Sequence, residues 1–400
     1  MKFLLAFSLF FCSSAFAGDP SVMLQGFHWS SAKSGGWWGT LASAAPEIGA
    51  AGINIVWFPP SGDSLSPEGY LPKQLYLQDS KYGKESQLKG AIGAMHSAGV
   101  TVLGDLVLNH RVGSSDWADF KNPDWGLDAC TSDDEYGACA GGADTGKSYD
   151  AARDIDHAND SIRESLKEWL GWMKSSVGYD GWRYDYARGF SSSYLAEYDS
   201  GSSFSVAEIW DDLDVDNSDA HRQGLCDWMD SAGGKIKVFD FTTKGVLQQA
   251  IATGEYWRLA DGADKPSGLI GWWPENAVTF IDNHDTAARQ GSRGHKSWPF
   301  PQNQLPQGYA YILTHPGIPC VFWPHFFDLG LKEEITGLIQ VRKKYGIHSG
   351  SKVNIITAGA GLYAANIDGK VVVKIGPENW HPYGDWQLVL SGNNYAVWAK

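Results

Sequence analysis

Apolar residues along this chain alternate between two patterns. Short runs rich in β-branched and aromatic residues are separated by longer stretches whose apolar positions recur every three or four residues. The short runs predict strands at Val22–Phe27, Asn54–Phe58, Thr101–Asn109, Gly181–Tyr186, Phe204–Ile209, Val238–Phe241, Val278–Asp282 and Ile318–Trp323. Helical patterns lie between them, at Gln87–Ala98, Asp160–Ser175 and Glu333–Lys344. In the second of these, Ile162, Leu166, Trp169, Leu170 and Met173 share one face. Strand and helix in strict alternation imply parallel βαβ units, and eight strands suffice to close a (β/α)8 TIM barrel.

The rhythm breaks twice. Residues 111–155 are rich in Gly, Asp and Ser and carry no helical pattern. A loop that long in a compact domain is usually functional, so it is read as an irregular subdomain inserted after the third strand. After Tyr345-Gly346 come Val353–Ile356, Gly361–Ile367, Lys370–Ile375, Trp386–Leu390 and Tyr395–Trp398, with Asp368-Gly369 as a hairpin turn. These predict a C-terminal antiparallel β domain over 346–400, leaving 18–110 and 156–345 for the barrel.

Residues 1–17 read as a signal peptide: Lys2, an apolar run from Phe3 to Phe11, and a small-residue cleavage site ending at Ala17. Export to the periplasm or the medium is therefore expected, and a monomer with it. Of the mature cysteines, Cys130 and Cys139 share one loop and suit a local disulfide. Cys226 and Cys320 sit in apolar contexts as buried thiols. A formal charge of −14 excludes nucleic-acid or anionic-membrane partners and leaves a neutral or cationic ligand. The 19 Trp are many; most must be packing, but indole faces also stack on sugar rings.

Several predicted strands end in polar residues. Alternation puts Arg183 and Asp185 of Gly181–Asp185 on one face, where the guanidinium favours an ionised carboxylate. Alone, this is equally an ion pair of the framework. Glu208 ends an apolar strand, a setting that raises a carboxyl's pKa and suits a general acid. Asp282-Asn283-His284-Asp285 ends another; it is either a polar cavity wall or a helix N-cap cluster. Gly104–His110 adds Asn109 and His110 at the same rim. Two carboxylates flanking one bond is the arrangement most glycosidases use. Asp212–Asn217 imitates the start of a calcium loop but lacks Gly at its sixth position and Glu at its twelfth, and is read as a solvated acidic loop.

These four stretches, in this order, resemble the signature regions of the alpha-amylase family of glycoside hydrolases (family 13). Tyr76–Gly83, Asp154–His157, Phe239–Gly245, Gly271–Pro274, Gln307–Pro319 and Asn394–Trp398 are similar to plant-type members, and the resemblance spans nearly all the mature chain. It implies Asp185 as nucleophile, Glu208 as general acid and base, and Asp285 as transition-state stabiliser. It also implies that His110, Arg183 and His284 line the central subsite, with Tyr70 as its stacking platform and Trp210 and Trp298 further along the cleft. Trp272 and Trp273 would take an alpha-glucan strand away from the cleft. One Ca2+ is implied, on side chains of Asn109, Asp144 and Asp154 and carbonyls of Ala152 and Gly189. Ser148 replaces an Asp that helps bind additional calcium in plant-type enzymes, which leaves further ions in doubt. The function implied is endo-hydrolysis of alpha-1,4-glucans with retention. Exo-acting or glucan-transferring enzymes use the same triad and remain alternatives. A non-catalytic glucan-binding protein would have lost a carboxylate, and none is missing.

Overall fold

The computed structural model describes residues 18–113, 117–134, 136–137, 139–288 and 298–400. The signal-peptide expectation at 1–17 lies outside them. Eight parallel strands close a barrel: β1 Met23–Gln25, β2 Ile55–Phe58, β3 Thr101–Val107, β4 Gly181–Asp185, β5 Ser205–Ala207, β6 Lys237–Phe239, β7 Ala277–Thr279 and β8 Ile318–Phe322. Each pairs with its sequence neighbours, and β1 pairs with β8. The alternation of patterns thus becomes the expected (β/α)8 barrel.

Most strands stop short of their apolar runs, and the reason lies in the residues that follow. Asp240, just past β6, still donates its N–H to the Val278 carbonyl at 2.8 Å, while its side chain caps the next helix, accepting the Thr243 N–H at 2.7 Å. Asn109, Glu208 and Asp282 likewise follow the ends of β3, β5 and β7. Such a polar residue turns its side chain to the rim, even where the backbone still pairs, as the Glu208 N–H does with the Tyr184 carbonyl at 3.0 Å.

The helix after the insert, Asp160–Trp172, is capped by the Asn159 side chain and buries Ile162, Leu166, Trp169 and Leu170. It ends earlier than its periodicity suggests. The chain widens into a π turn over Met173–Val177, which keeps both end residues buried, and stops at Gly178 with φ 109°.

Between β3 and that helix the insert adds Ala118, Phe120, Ala129 and Cys130 to the core and is held by further tethers. His110–Arg111 pairs with Arg153–Asp154, and Cys130 and Cys139 form the expected disulfide. Buried Arg111 donates to the Lys73 and Lys121 carbonyls at 2.6 and 2.9 Å and lies over the Trp125 ring. Beyond the barrel, five strands make an antiparallel sheet in the order β9-β10-β11-β13-β12: β9 Val353–Ala358, β10 Tyr363–Ile367, β11 Val371–Ile375, β12 Gln387–Gly392 and β13 Tyr395–Ala399. The turn at Asp368-Gly369 takes φ 53° and 72°, which explains glycine there. Cys320 is buried as expected, but Cys226 is only half-buried, on the partly exposed side of its helix. No described helix is long and apolar enough to cross a membrane.

Candidate active site

The register of β3 on β4 sets Asp105 opposite Arg183 and Val107 opposite Asp185. Arg183 is wholly buried and serves three carboxyls at once. Its Nη1 lies 2.8 Å from Asp105 Oδ1 and 2.6 Å from Asp185 Oδ1, and its Nη2 lies 2.9 Å from Glu208 Oε1. Asp105 also accepts from the Tyr70 hydroxyl at 2.8 Å and from Trp57 Nε1–H at 3.0 Å. Arg183 thus stands beside Asp185, as their shared strand face implies, but it also serves Asp105 and Glu208. One guanidinium cannot neutralise three carboxylates.

The electrostatics follow from that count. Burial pushes the Asp105 carboxyl up to about 6, against the pull of Arg183. Burial also pushes Asp185 well above the usual carboxylate range; Arg183 opposes this, while the charges of Glu208 and Asp105 add to it. Asp105 carries no role in the reading of the sequence. Its signal was there: a lone acid inside the apolar strand Thr101–Val107.

Glu208 is nearly buried, and its Oε2 accepts the Tyr186 N–H at 3.2 Å. Tyr186 holds φ at 44°, in the left-handed region that non-glycine residues rarely occupy. The strained residue thus lies between Asp185 and the acceptor it serves, a placement common at functional sites.

The stretch Asp282–Asp285 serves as a cavity wall closed by a turn; no helix begins after it among described residues 283–288, so the helix N-cap reading is corrected. Asn283 Oδ1 accepts the N–H groups of Asp285 and Thr286 at 2.9 and 2.8 Å, which closes the turn. Asp282 accepts from the Thr286 hydroxyl and the Phe300 N–H and lies 3.5 Å from the buried ammonium of Lys244. His284 and Asp285 face the cavity instead. Gln25 Nε2–H donates to His284 Nδ1 at 2.9 Å, so the other ring nitrogen carries the proton toward Asp285 Oδ2, 3.2 Å away.

Asp185, Glu208 and Asp285 meet in one cavity of about 410 Å³, whose walls include Tyr70, Trp210 and His284. Tyr70 and His284 are parallel, with ring centres 5.3 Å apart. Trp29, which the sequence reading missed, lies parallel to both, at 6.0 and 5.8 Å. His110 and Arg183 stand behind this wall, fully buried. His110 Nε2–H donates to the Tyr70 carbonyl at 2.8 Å, its ring stacks on Tyr149, and burial lowers its pKa to about 4. A neutral imidazole thus fixes the Tyr70 backbone.

The remaining tryptophans lie elsewhere. Trp298 packs by Lys244, whose Nζ donates to the Trp298 carbonyl at 2.9 Å, and is not among the residues lining that cavity. Trp272 and Trp273 precede β7, at the opposite end of the barrel. Trp272 is 40% exposed, while Trp273 is half-buried against the core.

Asn109 offers the best test of the calcium set. Its Oδ1 is buried without a hydrogen-bond donor, while its Nδ2 donates to Asp154 Oδ1 at 2.8 Å. A Cβ at Gly189 would come within 2.0 Å of that same oxygen, so Gly189 must be glycine for the loop to approach. The turn carrying Asp144 docks on that loop, with the Lys147 N–H donating to the Arg188 carbonyl at 3.1 Å. Ala152 is buried beside Asp154. Among the described residues, no group of three or more His, Cys, Asp or Glu is arranged to hold a metal ion on such side chains alone. The donors are mostly amide and carbonyl oxygens, which suit a hard cation such as Ca2+.

The sequence profile of the alpha-amylase C-terminal beta-sheet domain matches residues 344–399. Probable alpha-amylase 2 of Arabidopsis thaliana is 42% identical over 394 residues, covering 95% of this chain and 94% of that protein. Chloroplastic alpha-amylase 3 of the same plant is 43% identical over 408 residues, covering 96% of this chain but only 45% of that longer protein. Among solved structures, an alpha-amylase from Malbranchea cinnamomea superposes with a TM-score of 0.66 over 90% of this chain and 83% of its own, at 16% identity, which speaks for the fold.

Proposed function

The chain belongs to the alpha-amylase family of glycoside hydrolases, and from that premise we propose that it is an exported, endo-acting alpha-amylase cutting alpha-1,4-glucosidic bonds of starch-like glucans with retention. The observation that carries this is the meeting of Asp185, Glu208 and Asp285 in one cavity, with Arg183 touching the first two. Oxygens held by two nitrogens of one guanidinium favour the short carboxyl separation of retaining enzymes, roughly 5–5.5 Å.

In this reading Asp185 attacks the anomeric carbon while Glu208 gives its proton to the departing glycosidic oxygen. The bond to the leaving chain breaks as the ester to Asp185 forms. Glu208, now ionised, takes a proton from water, which releases the sugar and restores Asp185. Asp285 places negative charge near the oxocarbenium-like centre, and His284 Nε2–H orients it. Tyr70 offers its ring to the sugar and is fixed by Asp105 below and by His110 behind. Trp210, stacked on Phe241, lies on the Glu208 side, where the leaving chain departs. Trp298 belongs further along, and Trp272 and Trp273 form a separate glucan-binding surface.

One Ca2+ would be held by the side chains of Asn109, Asp144 and Asp154 and the carbonyls of Ala152 and Gly189, supplying a fixed positive charge between insert and barrel. Those residues order the loop carrying Gly189, four residues after Asp185.

Early products from a long soluble glucan test the reading. Mixed oligomers released as the alpha anomer are expected. A single short product from the outset would mean exo-action, transfer products would mean a glucanotransferase, and a beta anomer would exclude retention.

A further inference from the structure

Trp257 is 49% exposed, more than Trp272. It sits on a 3-10 turn, Tyr256–Leu259, whose two end residues are buried, so the turn holds its middle against solvent. The Arg258 guanidinium lies 4.5 Å from the Trp257 ring centre. It is clamped by Glu255 Oε2 at 2.7 Å and by Asp216 Oδ1 at 2.5 Å. Trp272 is built the same way. Arg222 lies 3.8 Å from its ring centre, and its guanidinium is fixed by Asp219 and Asp261 and by the carbonyls of Pro266 and Gly268. The two indoles hang on one hydrogen-bonded unit. The chain runs from Trp257 into a turn closed by the Ala260–Pro266 bridge, and Asp261 of that turn binds Arg222 under Trp272.

We propose that Trp257 is a second stacking point for an alpha-glucan strand, extending the surface of Trp272 and Trp273. This rests on the reading of that pair as a glucan site. An indole backed by a clamped guanidinium cannot collapse onto the protein, so one flat face stays presented to solvent. A pyranose ring, apolar on its C–H face and polar at its edges, suits such a face, and a ring fixed in advance binds without an ordering penalty. Charge narrows the occupant. Each arginine is already matched by two carboxylates, so neither guanidinium is left for an anionic polymer. Exposed Lys265 of the joining turn is outnumbered by Asp216, Asp219, Glu255, Asp261 and Asp264, whereas a neutral polyhydroxylic chain meets no obstacle.

The test compares Trp257→Ala with the double change Trp272→Ala, Trp273→Ala, both in a Glu208→Gln background so that granular starch is not consumed. The double change should weaken granule adsorption about tenfold and Trp257→Ala about fivefold. In active enzyme, Trp257→Ala should leave cleavage of a short soluble oligosaccharide unchanged. Loss in the double mutant with full adsorption by Trp257→Ala would overturn the extension and leave the original pair standing. Full adsorption by both would overturn the pair and the extension together. A measurement with all three tryptophans in place guards against misfolding: in Glu208→Gln protein, which leaves the oligosaccharide uncut, maltoheptaose should slow chemical oxidation of the Trp257 indole at least twofold. An unchanged oxidation rate at Trp257, with Trp272 protected, would also refute its role.

Discussion

Asp105 Oδ1 lies 2.8 Å from Arg183 Nη1, with both side chains fully buried. The pair joins adjacent strands at matched register, and Asp105 Oδ2 takes the Tyr70 hydroxyl at 2.8 Å. One carboxylate therefore sets the position of the guanidinium beside Asp185 and of the ring expected under the sugar.

Asp105→Asn should lower kcat/KM on soluble starch on the order of 10²-fold, the scale of a small misplacement in a catalytic array. The amide nitrogen would confront donors, and Arg183 would pass wholly to Asp185 and Glu208. With less opposing charge and more of the guanidinium, the Asp185 carboxyl should ionise more readily, moving the acid limb of the kcat/KM profile to lower pH. A variant that merely loosened the fold would lower the melting temperature and leave the limb in place.

Asp185→Asn and Glu208→Gln each keep side-chain volume and remove an ionisable group. Both should cut turnover of starch by at least 10⁴-fold while glucan binding survives. Retention of a tenth of normal activity by Asp185→Asn would remove it from the nucleophile's role.

Much of this was legible in the chain because two constraints coincide. Barrel strands are buried on both faces and so read as continuous apolar runs, and the polar residue ending each run marks the rim. Glu208 and Asp285 could be found that way. Asp105 could not be assigned, because its importance depends on strand register, which joins residues 78 positions apart. Trp29 was hidden for another reason. One more aromatic beside an apolar strand looks like packing until His284 and Tyr70 are seen parallel to it. Periodicity also misjudged the end of the helix at Trp172, because a π turn keeps apolar residues buried at a spacing that still looks helical.

Acid should destabilise the protein through buried histidines that do not line the cavity of Asp185, Glu208 and Asp285. Burial lowers the pKa of His157, His315 and His325 from 6.5 to about 3. The fold keeps them neutral, whereas the unfolded chain protonates them below about 6.5. Their support is full above that pH and is lost as pH falls toward 3, at about 1.4 kcal/mol per pH unit for each. Asp105 and Asp240, with raised pKa values, work in the opposite direction, so one histidine must be isolated. His315 is suitable. Its Nδ1–H meets the Tyr311 carbonyl at 2.9 Å and its Nε2 accepts the Tyr363 hydroxyl at 2.9 Å, roles that glutamine can copy. The stability difference between the parent and His315→Gln should narrow by about 1.4 kcal/mol per unit between pH 6.5 and 4.5 in urea unfolding. A constant difference would show that His315 is charged in the fold.

Removal of calcium should lower thermal stability, because an ion bound by the folded state alone stabilises it by mass action, about 2.7 kcal/mol at a hundred times Kd. For a protein of this size that corresponds to a loss of roughly 3–8 °C. The motivation is the buried Asn109 Oδ1, which has no hydrogen-bond donor and faces a Gly189 that admits no side chain. Melting should be compared in excess calcium and after chelation, with equilibrium dialysis to count the ions; one is expected. Asn109→Leu, which removes that oxygen at similar volume, should melt at one temperature in both conditions. If the unmutated protein, shown by dialysis to have lost its calcium, melts where it did before, the ion contributes nothing to joining insert and barrel.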